Sequence, residues 1–391
     1  MKYLVLLCDG MSDHKIEELG NKTVMEYADT SNFDYLAKNG VCGKIATAPG
    51  GLYPGSDICN LSVMGYDPHK YYSGRSPLEA GAMNIELGDR DMAFRCNLVT
   101  LTEDGKTMDD FSAHHAGNET GKRAIEALKE VFQDDDGVEF YPGVGYRHIL
   151  VLRDVDFELK TTAPHDIMGK EIADHLPEGK GAERVREIMA KARVVFAGGG
   201  YERANAIWLW GEGGRPQMPL YKDLYGVEGS VVAAVDLIKG IGNFAGFRII
   251  DVPGATGFID TNFKGKAEYA VKALEDTDYV FVHVEAPDEA GHMGSVEEKV
   301  KAVENINSLM IPTILEGMKS FGDFRILVTP DHPTPVALRT HVNEPVPAII
   351  YGTGVEADSN SEYTEYVDPS FFMEEGYKIA ELFLKAPVIK G

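Results

Sequence analysis

Cysteine is scarce in this chain. Cys8, Cys42, Cys59 and Cys96 are the only four among 391 residues. None stands at a close pairing spacing, so a disulfide scaffold is excluded and reduced, buried thiols are expected. Apolar runs of about 18 residues are missing, and so is a basic start followed by a cleavage site. Neither a membrane span nor a secretory leader is therefore predicted, and the cytoplasm is the expected compartment. Positive charge is also in short supply: 38 Lys and Arg stand against 62 Asp and Glu, for a net charge of −24. A nucleic-acid partner would be repelled. The glycine run Gly198-Gly199-Gly200 is not followed by Gly-Lys-Ser/Thr, and no protein-kinase signature occurs. An ordinary ATP-dependent kinase is thus disfavoured. Internal repeats and low-complexity tracts are absent.

What is present reads as a large globular enzyme, with 44% hydrophobic and 26% charged residues and room for a sizeable core. Four separated segments carry the chemistry: Cys8-Asp9-Gly10, Pro54-Gly55-Ser56-Asp57, Asp288 to His292, and Pro330-Asp331-His332 with Thr340-His341. Three of them follow short apolar runs of the buried-strand kind, Met1–Leu7, Tyr279–Val284 and Arg325–Thr329. Strands that deliver polar residues from their carboxyl ends are the signature of an active site on an open α/β sheet. Carboxylates and imidazoles suit Mn, Zn, Co or Mg. Two such cations together neutralise a phosphoryl group and activate an attacking oxygen, so the pattern implies phosphoryl transfer at a two-metal site. Asp288 and His292, four apart, would share a helix face. Ser56 after Gly55 reads as the N-cap of a helix through Met64, whose amides would face an anion. In so acidic a chain, a small phosphorylated substrate requires a locally positive cleft made by bound cations with a few Arg, Lys and His residues.

The texture changes along the chain. From about residue 74 strand-like segments alternate with turns, Met92–Leu101 and Tyr146–Leu152 among them, with a helix expected over Gly121–Phe132. The α/β pattern returns after the glycine-rich Lys239–Gly246. This predicts a discontinuous core, residues 1–73 and 241–391, of a mostly parallel sheet flanked by helices, interrupted by an inserted α+β domain over 74–240 that serves as a substrate-binding lid. Arg147 and Arg203 in the insert could grip a carboxylate or phosphate bidentately. His115 and His165 are candidates for substrate contact or proton transfer.

The Asp9-Gly10 start, the Pro-Gly-Ser-Asp segment, Tyr72 to Ala80, Phe94-Arg95-Cys96-Asn97, Asp288-x3-His292 and Asp331-His332 together resemble the archaeal-type cofactor-independent phosphoglycerate mutases of the alkaline phosphatase superfamily. The likeness spans nearly the whole chain. It implies one metal ion held by Asp9, Ser56, Asp331 and His332 and a second by Asp288, His292 and His341, with manganese favoured. It also implies transient phosphorylation of Ser56 and a catalytic Lys266 that reaches the phosphoryl site. The expected activity is exchange of 2- and 3-phosphoglycerate, with a small phosphorylated molecule as partner and no preference as to oligomeric state. The stretch Met108–Ala116 departs from the archaeal-type pattern, and Val284–His292 and Pro330–Pro335 are more similar to a bacterial branch of the same family, members of which have been proposed to act as homoserine kinases. A phosphotransferase to homoserine or another small hydroxyl acceptor, or a metal-dependent phosphatase, therefore stands as the alternative.

Overall fold

The computed structural model describes residues 1–391 and divides them into two compact units, Met1–Tyr72 with Met218–Gly391, and Ser73–Gln217. The larger unit is built on an eight-stranded sheet. Its order is Arg248–Ile250, Gly229–Val232, Tyr279–Val284, Lys2–Cys8, Phe324–Thr329, Val346–Gly352, Val41–Ile45 and Phe371–Met373. All strands run one way apart from Val346–Gly352, which is antiparallel to both neighbours. Helices cover both faces, and this explains why Lys2–Cys8 is an unbroken apolar run rather than an alternating one. Leu4, Leu6 and Cys8 pack with Phe263, Ala267, Ile311 and Ile314 of the helices Phe263–Ala273 and Ile311–Lys319. On the other face the Tyr3 ring meets Phe383 edge-on, with centroids 5.5 Å apart.

The return to this unit comes at Met218, earlier than the expected residue 241. Residues 229–232 already form a strand beside Tyr279–Val284. The glycine-rich Lys239–Gly246 is not a linker: Gly240 and Gly242 lie within a helix, Asp236–Ala245, and Gly246 caps its C-terminus with φ +78°. Gly242 is there for close packing: a Cβ on it would come 2.7 Å from Val231 Cγ1.

The smaller unit is an antiparallel sheet with Met92–Leu101 at its centre, paired on one side with Arg147–Leu152 and on the other with Ala206–Gly214. The expected helix is present as Asn118–Val131, and with Ala182–Phe196 it buries Phe94, Leu98 and Trp208. Ala80 of the short helix Arg75–Ala82 packs with Ala93, Ile149 and Val151 in a separate cluster.

Candidate active site

The carboxyl ends of three adjacent parallel strands, Tyr279–Val284, Lys2–Cys8 and Phe324–Thr329, bring the separated segments together. Asp9 follows the central strand, and its amide donates to Val284 O at 3.0 Å. Gly10 then turns with φ +62°, and its amide donates to Asp331 Oδ1 at 3.1 Å. Any side chain here would collide with Asp288, whose Cα would stand 2.6 Å from a Cβ on Gly10. Glycine therefore lets the Asp9 and Asp288 segments approach.

Two donor groups result. Asp9, Asp331 and His332 form one, and Asp288, His332 and His341 the other; within each, the ligand atoms lie within 4.8 Å of one another. His332 belongs to both, and its ring stacks on that of His341 with centroids 3.7 Å apart. His292 joins the second group from the helix Ala286–Met293, with Nε2 3.2 Å from Asp288 Oδ2 and 3.0 Å from His341 Nε2.

Ser56 opens the helix Ser56–Val63, but Gly55 occupies the cap position and no side chain caps it. The expected capping role is thus corrected. As the first helical residue, Ser56 turns its hydroxyl toward the carboxylate cluster, with Oγ 3.3 Å from His332 Nε2.

Around these donor groups stand residues that motif reading missed. Asn60, one turn after Ser56, donates to Ser56 O at 2.9 Å and to Asp331 Oδ2 at 2.8 Å. The Thr334 hydroxyl donates to Asp288 Oδ1 at 2.5 Å and lies 3.2 Å from His332 Nδ1. His283 stands opposite Leu7 in the parallel register, with Nε2 2.9 Å from Asp9 Oδ2. The i, i+4 spacing of Ser56 and Asn60 was a readable signal. His283, inside an apolar strand, offered none.

This donor set fits a bound cation. Asp9 Oδ1 is buried without a hydrogen-bond partner, a costly state for an anionic oxygen. His292 and His341 have Nδ1 3.0 Å from Arg339 O and 2.9 Å from Pro54 O. Each therefore donates Nδ1–H to a carbonyl and aims Nε2 at Asp288, so that Nε2, which shares its proton with Asp288 here, is the nitrogen a metal ion would take in that proton's place. Donors on one ion with bonds of about 2.1 Å are spaced roughly 3 Å apart, close to the separations among these three side chains.

The electrostatics agree. Burial and the neighbouring Asp331 and Asp288 push the Asp9 carboxyl far above the ordinary carboxylate range. Burial also opposes the Asp288 carboxylate, but hydrogen bonds with His292 and His341 outweigh it and hold the group well below that range. In return, Asp288 raises His292 to about 9. Lys266, wholly buried, places Nζ 3.2 Å from His283 O and is lowered to about 8 by burial. Burial, Glu289 and Asp288 raise Glu285 to about 8.

In the smaller unit, His115 and His165 stand around one aromatic group. The His115 ring faces Tyr146, and His165 faces Phe111 and Trp210, with centroids 5.4 to 6.3 Å apart. The exposed Arg147 places its guanidinium 5.9 Å from the Tyr146 ring. Arg203 stands beside His114, with Nη1 3.4 Å from Nε2. Ala113, His114 and His115 all have left-handed φ of 49°, 55° and 58°. Asp110 Oδ1 holds this turn, accepting from Ser112 N, Ser112 Oγ and His114 N at 2.6 to 2.9 Å. Arg95 was not singled out as a site residue. It is buried, lies 4.4 Å over Trp210 and pairs with Glu79 at 3.1 Å.

Known proteins share this chain from end to end. A sequence model described as 2,3-bisphosphoglycerate-independent phosphoglycerate mutase matches residues 37–199. A probable enzyme of that name from Geobacter sulfurreducens is 46% identical over 400 residues, covering 98% of this chain and 100% of its own. One from Methanothrix thermoacetophila is 47% identical over 396 residues, with the same coverage. Among solved structures, a Pyrococcus horikoshii protein aligns with a TM-score of 0.79 at 28% identity, covering 98% of this chain and 96% of that one. A cofactor-independent phosphoglycerate mutase from Thermoplasma acidophilum shares the fold, with a TM-score of 0.71 at 24% identity over 99% and 100% of the two chains. The chain belongs to the 2,3-bisphosphoglycerate-independent phosphoglycerate mutases.

Proposed function

We propose that the chain interconverts 2- and 3-phosphoglycerate through a phosphoserine at Ser56. The observation that carries this reading is the placement of Ser56 Oγ, 3.3 Å from His332 Nε2, beside the Asp9, Asp331 and His332 donors. Ser56 Oγ forms a bond to phosphorus as the ester bond to the glycerate oxygen breaks. The serine proton passes to water as Oγ attacks, and the released glycerate oxygen takes a proton from water in turn, so the exchange is proton-neutral. Divalent cations, manganese the best suited, would neutralise the phosphoryl oxygens and favour the serine alkoxide. Asp9, Ser56, Asp331 and His332 would hold one ion, and Asp288, His292 and His341 the other. Asn60 fixes Ser56 and Asp331 relative to each other, and Thr334 does so for Asp288 and His332. Lys266, buried near His283 and lowered to about 8, would give up its proton more readily than a free lysine and would meet the phosphoryl group. Arg147, Arg203, His115 and His165 would retain glycerate until it takes the group back on its other hydroxyl.

The homoserine-acceptor reading is weakened by what Asp110 does. One of its oxygens holds the Ser112–His114 turn, so the departure there has a structural use that needs no acceptor amine. The Geobacter relative, a bacterial protein, also carries the mutase name. Phosphorus NMR on the protein with 3-phosphoglycerate and Mn tests the proposal. Accumulation of 2-phosphoglycerate with little free phosphate is expected. Phosphate release without isomerisation would make it a phosphatase, and transfer to homoserine with no action on phosphoglycerate would make it a kinase.

A further inference from the structure

Lys299 is outside the ligand set, on the helix Val296–Asn305, and is wholly buried. Its ammonium has three N–H groups and meets three acceptors: Ser12 O at 3.2 Å, Asp13 Oδ2 at 2.7 Å and Thr334 O at 2.8 Å. The donor inventory is filled. These acceptors come from two segments far apart in sequence. Ser12 and Asp13 follow Asp9-Gly10, and Thr334 follows Asp331-His332. Further bonds join the same segments, Thr334 N to Ser12 O at 3.2 Å and Val336 N to Asp13 Oδ2 at 3.2 Å. Thr334 in turn carries the hydroxyl that meets Asp288 and His332.

A second buried cation shows what a purely structural role looks like. Arg325 donates to Thr353 O, Phe383 O and Pro387 O at 2.9 to 3.3 Å. It lies near the opposite end of the strand Phe324–Thr329, where it ties down the C-terminal segment and touches nothing attached to a candidate ligand. Burying an ammonium costs several kcal/mol unless every partner is in place. Apolar residues in place of the whole Lys299–Asp13 pair would fill the site without that cost, so the pair's use there asks for a reason beyond packing.

We infer that Lys299 is a positioning residue of the metal centre. It holds the Asp9–Asp13 segment and the Asp331–Thr334 segment at the separation that makes their donors converge. The inference rests on reading this cluster as a metal site. Titration of metal-free protein with Mn, followed by calorimetry, tests it alongside thermal melting of the same metal-free samples. Lys299→Met should weaken Mn binding about ten- to a hundredfold, the usual effect of disturbing a ligand's support, while circular dichroism shows a folded protein. Arg325→Met should lower the melting temperature and leave Mn affinity unchanged. Should Lys299→Met yield no folded protein, Asp13→Asn takes its place and should weaken Mn binding in the same direction. Unchanged Mn affinity in the folded variant, whatever its melting temperature, overturns the inference. Failure of the wild type to bind Mn overturns the metal-site reading itself.

Discussion

The two units place their polar residues in contrasting ways. In the larger unit Asp9, Asp288, Asp331 and His332 are buried while Ser56 and His341 are half-buried and His292 exposed, and these side chains are held by further hydrogen bonds with Asn60, His283, Thr334 or a backbone carbonyl. In the smaller unit, Arg147 and Arg203 are exposed, and His115 projects from a left-handed turn. The difference teaches where each demand falls. Phosphoryl chemistry needs donors fixed in advance, whereas the retaining role proposed for Arg147 and Arg203 would tolerate side chains that adjust to a small acid.

Three measurements would break or sharpen this contrast. The largest effect is expected in the prebuilt region. Ser56→Ala should cut isomerisation by on the order of 10⁴ to 10⁶, with the fold retained. Near-normal turnover would place the nucleophile elsewhere and dissolve the distinction. A smaller loss is expected from Arg147→Ala. Removing one charge-assisted hydrogen bond costs roughly 1.5–3 kcal/mol, so isomerisation should fall about ten- to a hundredfold while the share of free phosphate rises. A uniform fall in both products would deny Arg147 a retaining role. The smallest effect concerns stability of the smaller unit. His148 is buried and lowered to about 4, whereas an unfolded histidine titrates near 6.5. Below about pH 6.5 the unfolded state binds the extra proton, so stability declines as pH falls toward 4. At pH 5.5 the loss is about 1.4 kcal/mol. Thermal melts should show this slope in the wild type and lose it in His148→Gln, and identical slopes would assign the acid sensitivity to other groups.

Much of the larger unit was legible because its signals are local. An apolar run followed by Asp9, or by Asp331-His332, states both the strand and the end at which its polar residues emerge. The spacing of Asp288 and His292 predicted a shared helix face, and the helix Ala286–Met293 provides it. Features set by register or distant packing were not legible. His283 reads as one more core residue until the parallel pairing puts it beside Leu7. Lys299 lies in Val-Glu-Glu-Lys-Val-Lys, a charged stretch that resembles a solvated helix face. The glycines near residue 240 read as a linker, yet Gly242 serves close packing against Val231 and Gly246 ends the helix. Ser56 was recognised as the start of a helix, but which side of the cap it occupies depends on backbone angles that composition does not encode.

The position of the first strand has a consequence for how the chain is made. Lys2–Cys8 lies in the middle of the large sheet, between Tyr279–Val284 and Phe324–Thr329. It therefore leaves the ribosome long before either neighbour exists. Ser73–Gln217 is continuous and can complete its own sheet while this apolar strand still waits unpaired. Closure of the central sheet depends on contacts of very high sequence separation, which are slow to form and leave strand edges open to aggregation. Lys2–Cys8 is thus the strand that waits longest for its partners during synthesis, and the segment whose edges stay open to wrong pairing until the last third of the chain has emerged.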